Sequence, residues 1–221
     1  MGARPDRPLP ADGLVSGRFI SLEGGEGAGK STQIRALAAA LAARGIETVT
    51  TREPGGSVGA EAIRALLLEG SADRWDARGE ALLFAAARAD HVARTIRPAL
   101  ARGAWVLCDR FVDSSRAYQG GGGGITDADI LALHGFGSGG LLPDRTFLLN
   151  VSAAEAARRL AVRDAGGSDR MGGKPADYHA RLGARFLEMA AAEPARWRVV
   201  DADAPADAIT ARLLGELDDW L

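Results

Sequence analysis

Phe19-Ile20-Ser21-Leu22-Glu23-Gly24-Gly25-Glu26-Gly27-Ala28-Gly29-Lys30-Ser31-Thr32 is the stretch whose reading decides the fold. A short strand pattern runs into a glycine-rich turn, and Gly24 to Ser31 fits G-x-x-x-x-G-K-[ST]. Glycines let a backbone wrap closely round a polyphosphate, so that several N–H groups point at one anion. Lys30 supplies a point charge for the outer phosphates, and the Ser31 hydroxyl is placed to ligate Mg²⁺. A helix pattern opens at once, with Ile34, Leu37, Ala38 and Leu41 on one face and Gly45 at its end. Strand, loop and helix N-terminus stand in the order that makes an anion site. Gly24, Gly25, Glu26, Gly27, Ala28, Gly29, Lys30, Ser31 and Thr32 are therefore the candidate polyphosphate-binding residues.

Working outward, strand and helix patterns alternate along the chain. Ile46 to Thr51 reads as a second strand, followed by the turn Thr51-Arg52-Glu53-Pro54-Gly55-Gly56 and a helix with Ile63, Leu66 and Leu67 inward. Asp76 opens a long helical pattern through Leu82, Leu83, Phe84, Ala87, His91 and Ile96, in which Pro98 should kink the helix or end its regular part. Gly103 stops it, and Ala104 to Cys108 is a continuous apolar strand of the kind buried on both faces. A glycine run, Gly120 to Gly124, precedes a short helix around Ile130 and Leu133. Thr146 to Val151 is the next strand, and Ser152-Ala153-Ala154-Glu155 has a capping-box pattern. Residues 164–176 are polar and glycine-rich and lack apolar periodicity, which predicts a mobile lid. A helix from about Asp177, a strand from Trp197 to Val200 and a helix through Ile209, Leu213 and Leu217 complete the chain.

Such alternation predicts an α/β fold: a P-loop NTPase-like parallel sheet of about five strands, with helices on both faces and a short lid. Ligands of such sheets bind at the carboxyl ends of the strands, so the glycine loop, Arg52, Asp109-Arg110 and the lid should converge on one edge.

Composition bounds the function. With 221 residues, 47% hydrophobic and 25% charged, the chain reads as a globular protein of one domain, 17–221, after a flexible tail at 1–16. A formal net charge of −2 gives no global field toward nucleic acid or an anionic membrane, so neither is expected as a partner. The single Cys108 rules out an internal disulfide and fits a reducing compartment, hence a cytoplasmic location. No apolar run reaches membrane-spanning length.

Beyond the glycine loop, Thr51-Arg52-Glu53-Pro54-Gly55-Gly56, Asp109-Arg110-Phe111 with Ser114, Ala117-Tyr118-Gln119-Gly120, and Asp169-Arg170 resemble the bacterial thymidylate kinases in order and spacing, over roughly residues 18 to 215. The resemblance implies transfer of the γ-phosphoryl group of Mg·ATP to dTMP, giving dTDP for dTTP biosynthesis, by a homodimer that pairs through the Asp76–Arg102 helix. It also assigns roles. Arg52 and Arg110 match positions that hold the dTMP phosphate, and a guanidinium fork binds two phosphate oxygens at once. Phe84 and Arg88, four apart on one helix face, match the positions that stack on thymine and bond its carbonyl. Without the resemblance Phe84 reads sooner as core, since periodicity alone does not tell the two apart. Glu26 matches the acidic residue near the acceptor's sugar hydroxyl, and Ser114, Tyr118 and Gln119 match the acceptor pocket, Tyr118 excluding a 2′-hydroxyl by bulk. Asp109 is open to a metal-shell role or to orienting arginine.

No Lys or Arg lies between Gly24 and Lys30, and the resemblance then implies that the transition-state cation comes from the lid, with Arg163 and Arg170 as candidates. Arg158 and Arg159 read as solvated surface. Three positions depart from the family: Gly123 stands for a usual Arg, Asn150 for an Asp, and Met171-Gly172-Gly173 for an apolar-acidic segment. Competing readings are a kinase acting on another nucleoside monophosphate and a non-catalytic nucleotide-binding switch.

Overall fold

The structure, a computed structural model, describes residues 17–71, 73–122, 124–163 and 176–221; the side chains of Arg163, Ala176 and Asp177 fall outside this description. The expected tail, the expected lid, Arg170, Gly123 and Met171-Gly172-Gly173 also lie outside it.

β1 (Phe19–Glu23) is the central strand of a five-stranded parallel sheet ordered β2-β3-β1-β4-β5. All five of its residues are buried, as a strand covered on both faces requires. Its two polar members are satisfied inside. Ser21 Oγ lies 3.0 Å from Thr146 Oγ1 on the neighbouring strand, and the Glu23 carboxylate accepts from Phe111 and Ser114. The other strands are β2 (Thr48–Arg52), β3 (Trp105–Asp109), β4 (Arg145–Asn150) and β5 (Trp197–Asp201). In register, Leu22 pairs with Asp109 and Arg52 also pairs with Asp109, so the carboxyl ends of β1, β2 and β3 are brought level.

α1 (Lys30–Ala42) follows the glycine loop and buries Ile34, Leu37 and Leu41. With α9 (Ala206–Gly215) it covers one sheet face, where Ile209, Leu213 and Leu217 join Ile20, Leu22 and Phe147 in one core. α2 (Val58–Leu68) turns Leu67 inward but leaves Leu66 39% exposed, so the expectation of an inward Leu66 is not met. The long helix divides into α3 (Ala77–His91), a π turn at Val92–Ile96, and α4 (Arg97–Ala101). Asp76 caps α3 by accepting from the Gly79 N–H at 2.6 Å. Pro98 lies in the first turn of α4, directly after the π turn that interrupts the regular α-helix.

α5 (Val112–Gly122) was not expected as a helix, and it runs into the glycine segment. α6 (Asp127–Ser138) opens with a capping box between Thr126 and Asp129. α7 (Ala153–Arg163) and α8 (Ala176–Ala192) flank the undescribed segment. At α7 only half of the expected box forms. Ser152 Oγ accepts from Glu155 N at 3.3 Å, while Ser152 N donates to Asp203 and the Glu155 carboxylate is taken by Arg158 and Arg159. Arg158 is solvated, as expected, but Arg159 is not. It donates to the carbonyls of Ala202 at 2.7 Å and Ala28 at 3.4 Å, tying α7 to the glycine loop.

Candidate active site

The glycine loop leaves β1 and ends on Gly29, which caps α1 in a left-handed conformation (φ 89°) without any side-chain cap. The first N–H groups of α1 therefore find no capping side chain and face the loop. Gly27 (φ 72°) could not carry a side chain, because a Cβ there would lie 2.7 Å from the Ala156 carbonyl oxygen. Lys30 is buried beneath the loop, its Nζ donating to the carbonyls of Gly25 at 2.9 Å and Gly24 at 3.1 Å. Burial, with the nearby Arg110 guanidinium, holds its pKa down to about 7. The Ser31 hydroxyl donates to Asp109 Oδ2 at 2.6 Å, joining the start of α1 to the end of β3.

Arg110 follows with a left-handed backbone (φ 66°), uncommon for a residue with a side chain. Its Nη1 donates to Gly24 O and to Ser114 Oγ, each at 3.1 Å, and its guanidinium lies 5.0 Å from the Tyr118 ring centroid. Behind it stands Glu23, a residue that sequence reasoning passed over. Its carboxylate accepts the Phe111 N–H at 2.8 Å and the Ser114 hydroxyl at 2.6 Å. Burial, with Asp113 nearby, pushes its pKa up to about 7. The available signal was an acidic residue at the end of a fully buried central strand.

Glu26, Phe84, Arg88, Arg110, Ser114, Tyr118 and Gln119 line one cavity of about 120 Å³ beside the glycine loop, so seven of the eight expected acceptor-site residues meet there. Arg52 is the exception. Its half-exposed guanidinium pairs with Glu61 at 3.0 Å and does not line the cavity. Glu53, Arg64 and Ser115 also line it, and none was singled out from sequence. A second, open groove of about 840 Å³ runs past Gly29, Thr32, Ser152, Arg159 and Pro205 on the other side of the loop. Sequence patterns did not point to it, because residues from α1, α7 and the β5–α9 connection build it together.

Comparison with known proteins bears on this geometry. A model of the thymidylate kinase family matches residues 22–213. The chain is 60% identical over 207 residues to a thymidylate kinase of Rhizorhabdus wittichii, covering 94% of this chain and all of that one. This chain belongs to the thymidylate kinase family. A thymidylate kinase of Caulobacter vibrioides is 54% identical over 200 residues, covering 90% and 95% of the two chains. A crystal structure of thymidylate kinase from Ehrlichia chaffeensis superposes with a TM-score of 0.76 at 29% identity, covering 92% of this chain and all of that one. The chain is thus an enzyme, a thymidylate kinase that phosphorylates dTMP to dTDP with ATP as phosphoryl donor, and the switch reading falls.

For a thymidylate kinase, the donor set at Ser31 and Asp109 is chemically apt for Mg²⁺: one hydroxyl and one carboxylate, both hard oxygens, already 2.6 Å apart. That ion takes few protein ligands and fills its shell from water and phosphate. Among the described residues no cluster of three or more His, Cys, Asp or Glu could hold a metal, and no helix is long and apolar enough to cross a membrane.

Proposed function

We propose that the glycine loop holds the phosphates of Mg·ATP and that the cavity of about 120 Å³ holds dTMP. One observation carries this reading: Glu26 of the loop and Arg110 both line the cavity, so the two nucleotide sites share a wall. A phosphate oxygen of the acceptor attacks the γ-phosphorus, and the bond to the β–γ bridging oxygen breaks. The protein supplies position and charge rather than covalent chemistry. Lys30 exchanges the carbonyls of Gly24 and Gly25 for phosphate oxygens. Ser31 and Asp109 hold Mg²⁺, which when bound neutralises developing charge on the phosphates.

Arg110, fixed by Gly24, Ser114 and Tyr118, presents its guanidinium to the acceptor phosphate. Arg52 joins it by leaving Glu61. Both partners of that pair are about half exposed, and such pairs contribute only about 0–1 kcal/mol, so the exchange is cheap. Phe84 stacks on the base, Arg88 donates to it, and Ser114, Tyr118, Gln119 and Glu26 frame the sugar. The groove past Arg159 and Pro205 takes the rest of the donor nucleotide. Arg163, at the end of α7, and Arg170, in the lid at about 164–176, close over it.

Turnover of a panel of nucleoside monophosphates with ATP tests the cavity assignment. dTMP should be the preferred acceptor, ribonucleotides poor, and dUMP impaired but active, since one methyl in an apolar pocket is worth about 1–3 kcal/mol. Equal turnover of dCMP and dTMP would overturn it.

The same reading includes a cytoplasmic homodimer paired through α3. Leu82 on that helix is 56% exposed, and Phe136 on the adjoining α6 is 96% exposed. Large apolar side chains gathered on packed helices mark an interaction surface. Sedimentation should give twice the 23.0 kDa chain mass, and Phe136→Glu should shift it toward the monomer. A wild-type chain that sediments as a monomer at micromolar concentration would refute the pairing.

A further inference from the structure

The turn Thr51-Arg52-Glu53-Pro54-Gly55-Gly56 is folded round one buried ring, that of His91 at the end of α3. Both ring nitrogens are engaged. Nδ1 lies 3.0 Å from Glu53 Oε1, and Nε2 lies 2.7 Å from Thr51 Oγ1. The other oxygen of Glu53, Oε2, accepts from Arg88 Nε at 2.7 Å. Arg88 spends Nη2 on Ser115 Oγ at 2.8 Å and lies only 3.5 Å from the Phe111 carbonyl through the same nitrogen. Among the described residues its Nη1 alone makes no hydrogen bond, and Arg88 lines the cavity.

The surrounding backbone is shaped to this chain of contacts. A Cβ on Gly56 (φ 85°) would lie 2.4 Å from Thr51 Oγ1 and 2.5 Å from His91 Nε2, so the second glycine of the turn is the space His91 needs. The Thr95 hydroxyl, from the π turn just beyond His91, donates to Gly56 O at 2.7 Å. Single π turns inside long helices recur at functional sites. A buried ion pair such as Arg88–Glu53 is by itself weak evidence for stability, because desolvating two charges offsets their attraction. What the arrangement does supply is orientation: Nε and Nη2 are fixed by partners, and the arginine lines the cavity.

We infer that Thr51, His91 and Glu53 are positioning residues that lock the Arg88 guanidinium, and that this lock sets the preference for thymine over cytosine. The inference rests on the reading that the cavity takes dTMP with Arg88 against its base. Guanidinium only donates. Thymine offers a carbonyl oxygen where cytosine offers an amino group. A locked donor rejects the amino group, whereas a tilting one evades it.

The test compares kcat and KM for dTMP and dCMP, and KM for ATP, in Thr51→Val, His91→Leu, His91→Asn and Arg88→Met. Thr51→Val and His91→Leu should narrow the dTMP:dCMP ratio of kcat/KM by about tenfold or more, through a raised KM for dTMP, with KM for ATP little changed. His91→Asn, whose amide can still donate to Glu53, should recover most of that ratio. Thr51→Val is nearly isosteric and serves even where His91→Leu does not fold. An unchanged ratio in Thr51→Val and His91→Leu, beside its loss in Arg88→Met, would overturn the lock and leave the base reading standing. A ratio kept in Arg88→Met would overturn the base reading itself. Equal losses for dTMP and dCMP with a lowered Tm would assign the chain of contacts a structural role only, against the inference.

Discussion

Alanine at Lys30 is expected to lower kcat/KM for phosphoryl transfer by about 10³ or more while leaving the fold intact. Among the described residues the hydrogen bonds of Nζ go only to the carbonyls of Gly24 and Gly25, so its removal breaks no side-chain tie between elements of the fold. It also relieves a cost, since burial already disfavours its charged form. The variant should therefore keep a Tm within a few degrees of the parent by calorimetry, and a coupled assay with dTMP should read almost no turnover. Near-normal kcat would show that the loop does not hold ATP through this lysine.

Removal of a lid arginine should cost as much or more. Among the described residues two arginines touch the glycine loop, and both already have partners: Arg110 has Gly24 and Ser114, and Arg159 has Glu155 and the Ala202 carbonyl. The transferring phosphoryl group carries charge on three oxygens, and an arginine delivered to it is worth roughly 10³–10⁵ in rate. Arg163→Ala or Arg170→Ala should then lower kcat steeply with little change in KM for dTMP, the pattern of an interaction made chiefly in the transition state. Arg102→Ala is the control, since Arg102 pairs with Glu47 at the opposite edge of the sheet. Two lid variants that both retained kcat within a few-fold would move the assignment to Arg110.

The sheet and the loop were legible because their signals are local. Phe19–Glu23 alternates apolar and polar residues from Ile20 on and Trp105–Cys108 is an apolar run, both strand patterns, and the spacing from Gly24 to Ser31 meets a backbone demand that few other patterns meet. α5 was hidden by its own composition: Ser114, Ser115 and the glycines from Gly120 are poor helix formers, and it forms because Tyr118 and Ala117 pack against Phe186 and Leu148. The family resemblance named seven acceptor-site residues that meet in one cavity, yet the contacts of Glu23, Glu53 and His91 stayed invisible. Each is a polar group inside apolar surroundings, and its partners come from elsewhere in the chain: Phe111 for Glu23, Arg88 for Glu53, Thr51 for His91. Periodicity reports which face is buried, not what a buried polar atom will meet.

The order of the strands also sets a length. β1 and β3 are neighbours, so the loop after one and Asp109-Arg110 after the other leave the sheet about 4.8 Å apart. The last rung between them is the Arg110 N–H to the Leu22 carbonyl, at 3.0 Å. The gap between the groups that would hold the two exchanging phosphates is thus gauged by backbone hydrogen bonding and not by a hinge. Covering elements can then swing without altering that gauge. Admission and release of nucleotides become matters of timing, while the stride of the chemical step stays fixed by the pitch of the sheet.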